Sequence, residues 1–360
     1  MAKLRVGILG ATGAVGQNYL SLLEKHPWFE VSYVAASHRS AGKSFGEVIK
    51  NRWFMDRDVP EKLINLIVGD ATKPEEAIGK CDLLFSSYEG NKEEIQVAEM
   101  AYAGLGLPVV SNNSAHRWTE DVPMIIPEVN PIHIQMIDTQ RKKRGFRQGF
   151  VVTKPNCSIQ SYMAPLDALI KSGYAPKTMI VTTAQAVSGA GYPGVSSLDM
   201  IDNIVPYIGG EDEKTEREPL KILGDISDGK FSLYGSLKIS ATCTRVPIID
   251  GHTAMVNLGF ANNKPSLEEV IQIWRNYKSE PQELELPSAP NPAIIYRDED
   301  NRPQPRKDRY AGNGMAITVG RLRNCDVLDI RFIGLSHNTI RGAAGGAILT
   351  AELLHQKGYF

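Results

Sequence analysis

A chain of 360 residues is long enough for about two domains, each with its own core. Its 40 basic and 41 acidic side chains leave a formal charge of −1, which argues against a nucleic-acid or anionic-membrane partner. The 4 cysteines, Cys81, Cys157, Cys243 and Cys325, lie far apart without a CxxC pair, which argues against a zinc site and for free thiols in a reducing cytoplasm; no apolar run is long enough to span a bilayer, and none reads as a signal peptide.

The first predicted element is a strand, Leu4 to Leu9, followed at once by Gly10-Ala11-Thr12-Gly13-Ala14-Val15-Gly16. Val15, Tyr19, Leu22 and Leu23 then share a helical face that ends at His26-Pro27. Strand, glycine turn and helix in this order are a variant of the dinucleotide fingerprint. Gly10 permits the tight turn, Gly13 the approach of a pyrophosphate and Gly16 close helix–strand packing. The second strand, Val31 to Ala36, ends in Ser37-His38-Arg39-Ser40, with Lys43 beyond. An enzyme that reads a free ribose 2′-hydroxyl places a carboxylate at this point. A guanidinium and hydroxyls suit a 2′-phosphate, so NADP(H) is expected over NAD; a plain solvated basic loop is the other reading.

Further strands are expected at Ile64 to Val68, Asp82 to Ser86 and Pro108 to Val110, with helices at Lys92 to Tyr102 and Pro131 to Arg144. The alternation implies a parallel sheet covered on both faces. The strand ends carry polar loops, Ser86-Ser87-Tyr88-Glu89-Gly90 and Ser111-Asn112-Asn113-Ser114-Ala115-His116-Arg117, where such a sheet opens onto its ligand. Arg117 is there either an anion clamp or a surface arginine. From about Gly149 the chain turns β-rich, with strands expected at Met179 to Val187, Lys238 to Ile249, Thr253 to Phe260, Ala293 to Arg297, Met315 to Leu322 and Val327 to Leu335. Ser266 to Lys278 reads as a helix. So does Asn338 to Gln356, whose small residues permit close packing and return it to the nucleotide domain.

The chemistry centres on Lys154-Pro155-Asn156-Cys157-Ser158, between the apolar run Gly149 to Thr153 and a helix expected from Ile159 to Ile170. With Asn156 as N-cap, Cys157 falls in the first helical turn, where the dipole favours a thiolate; a buried structural cysteine is the alternative. Arg245 ends one strand and His252 begins the next, so a hairpin would bring both to one cleft. The histidine would manage a thiol's proton and the arginine would hold a carboxylate in a bidentate fork. Glu211 and Lys214 fall three apart at a helix start and share a face. Gln185 precedes the glycine-rich Ser188-Gly189-Ala190-Gly191 loop, which either approaches a nicotinamide or is a plain turn.

Taken together, GATGAVG, SNNSAHR, DVPMIIPEVN, KPNCS, AQAVSGAGYPG, GGEDEK, TRVPIIDGH and SHNTIRGAAGG resemble, in order and spacing over essentially the whole length, aspartate-β-semialdehyde dehydrogenase of the archaeal and fungal branch. The resemblance implies an α/β fold: a Rossmann-type doubly wound parallel sheet plus an α+β catalytic and dimerisation domain with a mixed sheet. Residues 1–154, completed by 338–360, would bind NADP, and 155–337 would form the second domain, in a homodimer or homotetramer. It implies NADPH-dependent reductive dephosphorylation of L-aspartyl-4-phosphate to the semialdehyde, feeding lysine, threonine, methionine and isoleucine synthesis. A malonyl-CoA reductase of the same cysteine chemistry is the alternative. By motif, Cys157 resembles the acyl-forming nucleophile and His252 the acid/base. Gln185, Glu211 and Arg245 correspond to substrate ligands, and Arg117, Lys214 and Asn113 to phosphate ligands. Gly10, Thr12, Gly13, Ala14, Val15, Ser37, Arg39, Ser40, Ser87, Ser188, Gly189 and Asn338 correspond to cofactor contacts.

Overall fold

The computed structural model describes residues 2–360. Six strands, β1 (Leu4–Leu9), β2 (Phe29–Ala36), β3 (Val68–Asp70), β4 (Leu83–Ser86), β5 (Val109–Ser111) and β6 (Val151–Thr153), form one sheet in the order β3-β2-β1-β4-β5-β6. Every pairing in it is parallel. The strands Leu83–Ser86, Val109–Ser111 and Val151–Thr153 are short and buried throughout because both faces are covered, as a sheet built from crossovers requires. The crossover helices include Ala14–Leu23, Lys92–Gly104 and Met136–Arg144. The chain leaves β1 at the position where strand order reverses, so the glycine loop and the loops after β4, β5 and β6 all open at the carboxyl edge of one sheet.

The expected third strand is displaced. Glu61–Ile64 is a helical turn and β3 begins at Val68, because Ile64 and Ile67 are exposed whereas Val68, Gly69 and Asp70 are buried beside β2.

The second sheet comprises β7 (Pro176–Gln185), β10 (Lys238–Arg245), β11 (His252–Phe260), β12 (Ile294–Arg297), β13 (Ile317–Asn324) and β14 (Ile330–Ser336) in the order β10-β7-β11-β14-β13-β12. A separate hairpin, β8 (Asp225–Ser227) and β9 (Lys230–Ser232), stands apart. The main sheet is mixed: β10 runs parallel to β7 and β12 to β13, and the remaining pairs are antiparallel. One face packs Met179, Val181, Ala254, Val256 and Phe332 against the helices Met163–Lys171 and Leu267–Arg275, with Trp274 fully buried between them. The other face presents Ile180, Met255 and Ile333 to the surface.

The expected hairpin between Arg245 and His252 does not form. β7 lies between β10 and β11, and the segment from Val246 to Gly251 crosses over its end as a loop. The terminal element is also divided: Ile340–Ala344 is a wide turn and the regular helix spans Gly345–Gln356. Ala347, Ile348, Leu349, Ala351, Leu353 and Leu354 of that helix belong to the core of the first sheet. Its buried Glu352 accepts from His26 Nε2 at 2.8 Å and from the Ser288 N–H at 3.0 Å.

Candidate active site

Cys157 follows β6 at the edge of the parallel sheet and His252 opens β11 of the mixed sheet; across the boundary their Sγ and Nε2 atoms are 3.3 Å apart. The cysteine does not begin a continuous helix. Ser158–Ser161 is a single 3-10 turn, the chain breaks at Tyr162, and the regular helix starts at Met163. Asn156 caps this turn through Oδ1, which accepts from the N–H and the hydroxyl of Ser158, both at 2.7 Å. Its own N–H donates to Glu218 Oε2 at 2.6 Å. The main-chain donors on either side of Cys157 are therefore already engaged, and a four-residue turn offers little dipole.

The helix dipole expected to favour a thiolate has no continuous helix behind it here. Burial, and next the nearby Glu211 carboxylate, push the Cys157 thiol above its ordinary value, against the opposing pull of Lys154, Arg117 and Arg245. His252 is fully buried. Burial and the charge of Arg245 lower it to about 3, so its imidazole is neutral at physiological pH. Its Nδ1 accepts from the Ala186 N–H at 3.0 Å.

Around this pair stand the predicted polar groups. Gln185 and Arg245 end β7 and β10 side by side in parallel register, and both are buried. Arg245 donates to the Ala186 carbonyl at 2.8 Å. The helix Glu211–Ile222 begins at Gly210 and projects Glu211 into the cleft. Glu211 accepts from both Asn156 Nδ2 and Lys214 Nζ at 2.9 Å and from Gln185 Nε2 at 3.2 Å. Burial raises its carboxyl, but Lys214, Asn156 and Gln185 outweigh it and the net effect is downward. Arg117 is buried, with Nε on the Lys154 carbonyl at 3.0 Å and NH1 on Glu218 at 2.9 Å.

Asn113, matched by motif to a phosphate ligand, lies just past β5, and its amide nitrogen donates to Glu99 Oε1 at 2.9 Å and to Ser86 Oγ at 3.4 Å.

Two groups went unremarked in the sequence reading. Glu218 lies on the same helical face as Glu211 and Lys214, seven residues on from Glu211, and carries no surface exposure. The periodicity of the charge run was the signal for it. Lys154 is buried, with Nζ donating to the Gly342 carbonyl, and burial lowers it to about 7. Nothing in KPNCS announced that environment.

The residues matched to a cofactor line the carboxyl edge of the first sheet and the loop after β7. Gly10 has φ 77°, and a Cβ there would sit 2.3 Å from the Ser87 carbonyl oxygen, so only glycine fits. Ser87 closes this turn by donating to the Leu9 carbonyl at 3.1 Å. The helix starting at Ala14 has Gly13 at its N-cap with no side-chain hydrogen bond and no acidic residue in its first turn, so its N–H groups are available to a phosphate beside Thr12 and Val15. Ser37 and Arg39 are exposed just past β2, and the Ser40 N–H folds back to the Ser37 carbonyl at 2.9 Å. At the opposite side Asn338 joins the Ser188 hydroxyl at 2.8 Å to the Gly251 N–H at 2.8 Å. A Cβ on Gly189 would lie 2.9 Å from Arg245 NH1 and 3.1 Å from His252 Nε2, so this loop leaves its space to whatever approaches the pair. These features fit a dinucleotide. Among the described residues no cluster of ligands suits a metal ion, and no helix is long and apolar enough to cross a membrane.

Comparison with known proteins agrees with this architecture. Residues 5–137 match the family model for the semialdehyde dehydrogenase NAD binding domain, and residues 166–341 that for the semialdehyde dehydrogenase dimerisation domain. The chain is 44% identical to the aspartate-semialdehyde dehydrogenase of Archaeoglobus fulgidus over 98% of both proteins. It is likewise 44% identical to that of Aspergillus fumigatus over 99% of this chain and 98% of the relative. The crystal structure of aspartate semialdehyde dehydrogenase with NADP from Candida albicans superposes with a TM-score of 0.90 at 40% identity, with all of both chains covered. A Vibrio cholerae structure, aspartate semialdehyde dehydrogenase II complexed with ASA, shares the fold at a TM-score of 0.76 and 24% identity. A parallel nucleotide sheet, a mixed sheet beside it and a cysteine–histidine pair at their junction, matched over full length at these identities, place the chain in the aspartate-semialdehyde dehydrogenase family.

Proposed function

We propose that this enzyme converts L-aspartyl-4-phosphate to L-aspartate 4-semialdehyde with NADPH, through a thioester on Cys157. The observation that carries the reading is the Cys157–His252 contact of 3.3 Å inside a cleft ringed by Arg117, Lys214, Arg245 and Glu211. Arg245 takes the substrate carboxylate, Glu211 its ammonium, Gln185 orients it, and Arg117 with Lys214 receives the phosphate. The cofactor supplies a hydride when bound. The 2′-phosphate of NADP is matched by Ser37, Arg39 and Ser40, where no carboxylate follows β2. The nucleotide-binding unit is 1–154 with 338–360, a division supported by the helix Gly345–Gln356 contributing to the core of the first sheet. The chain associates as a homo-oligomer through the uncovered face of the mixed sheet.

The test is Cys157→Ala. Turnover should vanish while NADPH, followed by fluorescence titration, binds with nearly unchanged Kd and more tightly than NADH. Residual wild-type turnover refutes the nucleophile, and tighter NADH binding refutes the cofactor.

A further inference from the structure

Away from the cysteine and histidine, the nucleotide unit and the second domain also meet through two stacked rings. We propose that Phe54 and Tyr192 are positioning residues: their stack clasps the loop carrying Ser188 and Gly189 to the glycine turn, holds the dinucleotide in the cleft and sets the rate at which it leaves. The inference rests on the cleft binding NADP(H), and it concerns two side chains outside the cofactor contacts matched by motif.

Each ring stands on a fixed base. Phe54 follows the helical turn Phe45–Ile49, and its N–H donates to Gln17 Oε1 at 3.1 Å. Gln17 is fully buried in the first helix, and its amide nitrogen donates to the Arg52 carbonyl at 2.7 Å and to the Thr12 carbonyl at 3.1 Å. One glutamine therefore bolts the Phe54 backbone to the glycine turn. Tyr192 belongs to the loop after β7. The root of that loop is tied to the mixed sheet and its flanks: the Val187 N–H donates to the Ile248 carbonyl at 2.8 Å, and the Ser188 hydroxyl accepts from Asn338 Nδ2 at 2.8 Å. Gly191, at φ 75°, then turns the chain in a way that a side chain would resist.

The two rings lie with centroids 4.7 Å apart and planes inclined by 6°. Tyr192 is 69% exposed, so no core packing holds its ring there. The stack joins a fixed point on the nucleotide unit to a loop that passes beside the reacting groups, since Gly189 approaches His252 and Arg245.

Phe54 and Tyr192 also line a cleft of about 440 Å³ whose walls come from both units: Ala14 and Asn18 of the first helix, Ser188 of the loop, and Thr339 after β14. Ala14 opens the helix whose free N–H groups suit a phosphate, and Ser188 adjoins the glycine beside His252. A dinucleotide with its phosphates at that helix and its reactive ring toward Cys157 crosses between the units alongside this joint. An aromatic stack is strong enough to keep the loop in place and weak enough to open in each turnover. Its loss should change a dissociation rate by roughly two- to tenfold. Opening of this kind commonly governs product release.

The experiment is stopped-flow fluorescence of NADPH displaced from the full-length protein by excess NADP⁺. It compares wild type with Tyr192→Ala, Phe54→Ala, the double variant and Tyr192→Phe. Each alanine variant should release NADPH roughly two- to tenfold faster, and KM for NADPH should rise with it. The double variant should be no faster than either single one, because the stack is lost once. Tyr192→Phe keeps a ring and should stay near the wild-type rate. Unchanged rates in the alanine variants overturn the clasp. So do losses that multiply in the double variant, since the rings would then touch the cofactor separately. A Tyr192→Phe protein as fast as Tyr192→Ala overturns it as well, because the hydroxyl would then be the group at work. Equal rates in every variant leave the NADPH titration of Cys157→Ala, and the reading it tests, untouched.

Discussion

At the scale of single residues, the cleft is governed by desolvation before charge. Cys157 is raised by burial first and by Glu211 second, both acting against the thiolate. A substrate ammonium that pairs with Glu211 would cancel the second effect and favour the thiolate only when substrate is present. Glu211→Gln is therefore expected to shift the midpoint of iodoacetamide alkylation of Cys157 to lower pH in the free enzyme. An unchanged midpoint would remove Glu211 from control of the thiol. Cys157 itself was legible in the sequence because a strand end, an Asx residue and a cysteine fall in order. Its ionisation was not, because Glu211 is separated from it by 54 positions along the chain.

The helix Glu211–Ile222 shows what an element contributes. Its buried face brings Glu211, Thr215, Glu218 and Ile222 inward in one stripe. Glu218 reaches both Arg117 and the Asn156 N–H, so one carboxylate holds the arginine and the loop that carries Cys157 together. Removing it strands a buried guanidinium. Glu218→Ala should cost about 3–5 kcal/mol in urea unfolding, and replacing Arg117 by Met in the same background should recover part of that loss. If the single substitution is neutral, the pair does not hold the loop. The charge run GGEDEKTEREPL announced a helix, and the buried stripe follows from its period. Which members are buried depends on what packs against them.

The whole molecule adds the uncovered sheet face. Ile180, Met255 and Ile333 alternate with threonines and asparagine on the side of the mixed sheet that no helix covers. Exposed apolar side chains grouped on a sheet face suit association with another surface. Met255→Glu is expected to reduce the native mass in sedimentation equilibrium to that of a monomer; an unchanged mass would move the interface elsewhere.

Stability should also depend on pH through the buried histidines. His116 and His337 are lowered to about 4 and His252 to about 3, mainly by burial, from an unfolded value of 6.5. Below 6.5 the unfolded chain binds more protons than the folded one. Their contribution is therefore complete above that pH and is lost as pH falls toward 4. Calorimetry should show Tm declining from pH 7 to pH 5. A flat profile would mean that these imidazoles are not held neutral by the fold.

The sequence by itself determined the glycine turn after β1, the cysteine at a strand end, the change from a parallel to a mixed sheet and the family. Each of these is a matter of local period, turn chemistry and motif order, which the chain carries without being folded. Only the tertiary structure decided that β7 separates Arg245 from His252, that Asn113 bonds to Glu99, and that burial and Glu211 act together on the thiol. These depend on which distant segments share a hydrogen bond and on how far water is excluded from them, and no stretch of neighbouring residues contains that information.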